Sequence, residues 1–144
     1  MNTTDERLSA ILHATNTVAV IGASTNQDKP AHFVPRYMAD HGYAVLPVNP
    51  AAAGQELFGE TVSATLIELD RPVDMVDVFR RAADIPPHLP DILAMRPLPK
   101  VVWFQLGIRN DEAAAELEAA GIEVVQDKCL MEEHERLVGG ARHP

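Results

Sequence analysis

Five short apolar runs recur along the chain, with helical patterns between them: residues 18–21, 43–48, 73–79, 101–104 and 122–125. The first and fourth are continuous apolar stretches, the form expected of parallel strands buried on both faces. The third alternates, and the second carries Pro47, which is tolerable only near a strand end. Between the first two runs, Phe33, Val34, Tyr37 and Met38 recur at helical spacing, leaving His32, Arg36 and Asp40 on the polar face. Pro30 and Pro35 confine that helix start, and Gly42 ends the helix.

After a proline-rich entry (Pro86, Pro87, Pro90), Leu89, Ile92 and Leu93 make a second apolar stripe. The clearest helix covers 111–120, with Asn110 as N-cap, Asp111 and Glu112 at the positive end of the dipole, and Gly121 just past its end. Residues 1–14 read as a leading helix with Leu8, Ile11 and Leu12 on one side, and 138–144 as a frayed tail. The stretch 50–72 is irregular, broken by Gly54 and Gly59, with one or two helical turns over 63–69. This alternation predicts one α/β domain over 1–144, with a Rossmann-like, doubly wound parallel sheet of five strands in the order 3-2-1-4-5.

Composition narrows the function. With 47% hydrophobic and 23% charged residues, the 144-residue chain has the make-up of a soluble globular domain. No apolar run approaches the roughly 20 residues of a membrane span, and the N-terminus lacks a secretory pattern. The single Cys129 has no internal disulfide partner, which suits a reducing cytoplasm. A net charge of −9 argues against nucleic-acid or anionic-membrane partners, but a local cluster of donors can still hold one phosphorylated small molecule.

In such folds the ligand lies outside the carboxyl ends of the strands. Gly22-Ala23-Ser24 follows the first strand, where glycine lets a phosphate approach a helix N-terminus. As a dinucleotide fingerprint it fails, because Ser24 and Gln27 occupy the later glycine positions. Asn49-Pro50 stands where NAD sites carry an acid. The phosphate logic survives in the Ser24 hydroxyl, the backbone amides of the turn and nearby Lys29.

Read in order, Val20-Ile21-Gly22-Ala23-Ser24, Lys29-Pro30, Val48-Asn49-Pro50, Val76-Asp77-Val78-Phe79-Arg80-Arg81, Trp103-Phe104-Gln105-Leu106-Gly107-Ile108-Arg109-Asn110 and Asp127-Lys128-Cys129-Leu130-Met131-Glu132-Glu133-His134 form one pattern. It resembles the small stand-alone CoA-binding domain family and, more distantly, the N-terminal CoA-binding domain of the succinyl-CoA synthetase α subunit. The likeness runs over residues 17–137. It implies coenzyme A as ligand, with its phosphates near Gly22, Ala23 and Ser24 and on Lys29. It further implies an ADP pocket shaped by Asn49 and Pro50, closed by Phe79 and Arg80, with Gln105, Gly107 and Cys129 as second-tier positions. The synthetase's further domain, which carries a phosphorylated histidine, has no counterpart here, so ligase activity is not supported.

Other residues have plainer readings. Arg81 and Arg36 are solvated, Arg36 as an ion-pair partner of Asp40, while Trp103 and Phe104 belong to the core. Cys129 reads first as a small buried hydrophobe. The alternative is a thiol whose pKa is lowered by Lys128 and a helix N-terminus, able to form a mixed disulfide with CoA. The six histidines lack metal-ligand spacing, His134 lying alone on a charged stretch, and no catalytic residue or metal site is assigned. The resulting expectation is a cytoplasmic module that binds CoA or acyl-CoA as carrier, sensor or protector, leaning away from catalysis and compatible with a homodimer. Two alternatives stand beside it: an NAD(P)-dependent or acyl-CoA-handling enzyme, and a regulatory interaction protein with a vestigial pocket.

Overall fold

The structure, a computed structural model, describes residues 4–139. Helix α1 (Thr4–Ala14) leads into β1 (Thr17–Ile21), followed by α2 (Pro30–Asp40) and β2 (Ala44–Val48). A small antiparallel hairpin, β3 (Glu56–Leu57) and β4 (Glu60–Thr61), interrupts the path to β5 (Met75–Val78). Then come α3 (Leu89–Ala94), β6 (Val101–Phe104), α4 (Asp111–Ala119), β7 (Glu123–Val125) and α5 (Leu130–Leu137). The tail expected over 138–144 falls, beyond Gly139, outside the described residues.

The five-stranded parallel, Rossmann-like sheet runs β2-β1-β5-β6-β7. Numbered by sheet strand alone this is 2-1-3-4-5, which corrects the expected 3-2-1-4-5. Two local causes send the third strand to the far side of β1. Ser63 occupies the outer edge of β2: its N–H donates to Pro47 O (3.0 Å), and its carbonyl accepts from Asn49 N–H (2.9 Å). Because Pro47 O points outward, so does the donor that proline lacks, and β2 is an edge strand by construction. On the other side, the Asp74 carboxylate accepts from Asn16 N–H (2.9 Å) and Thr17 N–H (3.0 Å), seating β5 beside β1.

Alternate residues of each strand feed two cores. Val18, Val20, Met75 and Trp103 pack under α1, α2 and α5, whereas Ala19, Ile21, Val76 and Phe104 pack under α3, α4 and the turn at Leu66. In α2 the buried positions are His32, Val34, Pro35 and Met38, with Phe33 exposed. The helix is therefore rotated from the expected face, and Pro35 lies inside it. His134, which the sequence places alone on a charged stretch, is fully buried against Tyr37, His41 and Tyr43. No helix of the described residues is long and apolar enough to cross a membrane.

Candidate functional site

The turn after β1 is built as a brace. Gly22 has φ +86°, and a Cβ there would stand 2.4 Å from the Phe79 carbonyl oxygen and 3.1 Å from Arg80 Nη1. Glycine is thus required because the backbone leaving β5 presses against this turn. Gly22 N–H donates to Val48 O (2.8 Å), and the buried Ala23 accepts at its carbonyl from Asn49 Nδ2 (2.9 Å). Asn49 Oδ1 in turn accepts from Ala51 N–H, so Asn49 shapes the loop with both ends of its amide.

Ser24 is tied to α2 at both backbone groups. Pro35 has no N–H, which leaves the Ala31 carbonyl without its normal helical donor. Ser24 N–H donates to that carbonyl (3.1 Å), His32 Nδ1 donates to Ser24 O (2.7 Å), and Ser24 Oγ accepts from Asn26 N–H (3.0 Å). The amides of Gly22 and Ser24, which the sequence suggested as anion donors, are therefore committed within the protein.

The ligand space is lined by other residues. A cavity of about 770 Å³ opens past the carboxyl ends of the strands, where the chain leaving β1 leads to a helix on one face and the chain leaving β5 to a helix on the other. Lys29, Phe79 and Arg80 line it, together with Gln105, Gly107 and Cys129 from the far side. Six of the eleven sequence-derived positions thus share one cavity. Pro50 lines a separate pocket of about 220 Å³ with Thr65 and His88, and Arg80 borders both spaces. Gly22, Ala23 and Asn49 form the structure beneath, with Ser24 at its margin.

The charge pattern singles out the same place. Eight of the eleven lysines and arginines among the described residues pair with a carboxylate, Arg81 with Asp84 and Arg36 with Asp40 included. Lys29 and Arg80 are two of the three that do not, although the chain carries a net −9. Burial, reinforced by the Arg80 charge, lowers the His88 pKa.

Beneath the cavity lies a residue the sequence reading passed over. Asp77 is fully buried on β5; its Oδ1 accepts from Gln105 Nε2 (2.7 Å), and its Oδ2 has no hydrogen-bond partner. Burial pushes its carboxyl up to about 7, against the pull of the Gln105 amide. The signal was present: an acid between Val76 and Val78 on a strand covered on both faces. Cys129 is half-buried, and burial pushes its thiol up, opposed by the N–H groups of Glu132 and Met131. Lys128 lies 4.0 Å from Glu133 and is engaged there. Burial thus outweighs the helix N-terminus at this thiol and disfavours the thiolate.

Fold and site together define a Rossmann-like α/β module with a cation-edged, largely apolar crevice at the strand ends. The chain belongs to the CoA binding domain family, whose model matches residues 16–135. It is 34% identical over 133 residues to YneT, an uncharacterized protein of Bacillus subtilis (strain 168), covering 92% of this chain and 96% of that one. The solved structure of cell-free ID.343 from Thermus thermophilus is 50% identical, with a TM-score of 0.89, covering 94% of this chain and 99% of that chain. A hypothetical protein from Pyrococcus horikoshii OT3 is 33% identical with a TM-score of 0.87, covering 96% and 94%.

Proposed function

We propose that this protein binds coenzyme A across the carboxyl-end crevice, as a module that carries, senses or protects the cofactor. The observation that carries this reading is the pair of cations, Lys29 and Arg80, left without acidic partners beside the cavity of a CoA binding domain. Arg80 borders both spaces, so a diphosphate on it sends the nucleotide end toward Pro50 and Thr65. The pantetheine arm then runs toward Gln105 and Cys129. Binding is favoured over catalysis because Asp77 is fully buried behind Gln105 and the Cys129 thiol is pushed up.

Thermal unfolding with CoA, acetyl-CoA, NAD, NADP and ATP tests the reading. A ligand at 100 times its dissociation constant adds about 2.7 kcal/mol of stability. CoA is expected to stabilise selectively; stabilisation by NAD alone overturns the proposal.

A further inference from the structure

The cavity is amphipathic in a way that CoA alone does not use. Phe33 on α2 is 39% exposed, and Leu106, just after β6, is 63% exposed; both line the cavity. They are two of the three large apolar side chains most exposed among the described residues. Ile108 and Met131 extend the same apolar lining, in the cavity that Lys29 and Arg80 also line. Leaving such surface in water is unfavourable, roughly in proportion to its area.

A pantetheine arm carries two amides and a hydroxyl, which lose free energy when buried without hydrogen bonds. Gln105 is the one neutral amide side chain on this wall, and it is already engaged: Nε2 donates to Asp77, and Oε1 accepts from Leu130 N–H at 3.4 Å. An aliphatic chain gains from this lining what a polar arm does not. Glu132, also on the wall, adds a sign: a second carboxylate on the ligand meets repulsion there.

Resting on the CoA reading, we propose that the apolar lining around Phe33 and Leu106 receives the uncharged aliphatic chain of an acyl-CoA thioester, and that such a thioester is the preferred ligand. Lys29 and Arg80 would hold the phosphates, and the apolar side chains would take the methylenes.

The test is isothermal titration of the full chain with CoA, acetyl-CoA, octanoyl-CoA and succinyl-CoA. Each buried methylene is worth about fourfold in affinity (about 0.8 kcal/mol). Octanoyl-CoA is therefore expected to bind at least tenfold tighter than acetyl-CoA, with succinyl-CoA weaker than acetyl-CoA. Leu106→Asn, at an exposed position, is expected to keep the fold by circular dichroism and cut the octanoyl-to-acetyl ratio at least threefold. CoA binding with no octanoyl advantage overturns this inference and leaves the CoA reading standing. Failure of all four ligands, CoA included, overturns both. Sedimentation adds one arm: a dimer that Leu106→Asn dissolves and octanoyl-CoA does not means a second copy owns the surface, and the inference falls.

Discussion

The two ends of the sheet treat charge in opposite ways. At the amino ends of the strands, the Asp74 carboxylate takes two backbone N–H groups and stands 3.8 Å from Lys100 Nζ. There Arg7 pairs with Glu123 and donates to Val124 O at 2.7 Å, stapling the first helix to the last strand. At the carboxyl ends, Lys29 and Arg80 have no carboxylate, Asp77 keeps an orphaned oxygen, and Phe33 and Leu106 meet water. The amino ends close these charges in pairs, whereas the carboxyl ends leave two cations and one carboxylate oxygen without such partners. The first arrangement holds the fold together; the second leaves binding capacity for a ligand that is both anionic and apolar.

The largest break in that contrast comes from Gly22→Val. A β-branched side chain at φ +86°, with its Cβ 2.4 Å from a backbone oxygen, is expected to cost about 4 kcal/mol or more, read by thermal denaturation. Loss of ligand in that variant therefore reports unfolding, and Gly22 is a poor probe of phosphate contact.

Asp77→Asn sharpens the comparison from below. The folded carboxyl titrates at about 7 instead of 3.8, so the native state holds an extra proton between those values, and stability falls as pH rises through that window. Asn keeps an acceptor for Gln105 without the charge. The variant is expected to be more stable than the parent at pH 8 by roughly 4 kcal/mol and to match it near pH 3, measured by denaturant titration at both pH values. Equal stability at pH 8 would remove the buried acid from the account.

Arg80→Ala and Lys100→Ala set one end against the other. Losing a charge-assisted contact to phosphate is expected to weaken CoA roughly ten- to a hundredfold, with little change in melting temperature. Lys100→Ala breaks an exposed pair, so it is expected to shift stability by less than about 0.5 kcal/mol and leave CoA affinity alone. Equal ligand effects in both variants would refute the division between the ends.

What could be read from the residues tracks how local each signal is. The strand Val101–Phe104 and the capped helix Asp111–Ala119 announce themselves through apolar continuity and end signals, and both are found within a residue of expectation. Strand order is non-local; Pro47 reads from the sequence as a strand-end signal, whereas its missing donor marks β2 as the edge that the order 3-2-1-4-5 had not placed there. The hairpin at Phe58 and Gly59 went unseen because Phe58 adopts φ +57°, which its residue type does not advertise. In the site, cations and post-strand positions were legible from their places after strands. Burial of His32 and His134 was not, because partners for their ring nitrogens come from Ser24 and Tyr37, distant in sequence.

Pro35 has a consequence for anyone who would redesign the loop. By withholding one hydrogen it turns a helix carbonyl into a socket, and the Ser24 amide is the plug. Loop and helix are thereby coupled as one rigid part, so Lys29, at the junction, inherits its position from a residue two turns away. Asn26 braces the same joint, its carbonyl accepting from Lys29 N–H (3.1 Å) and its Oδ1 from Asp28 N–H (3.0 Å), whereas an alanine at 35 would bring a rival donor to the socket and loosen it.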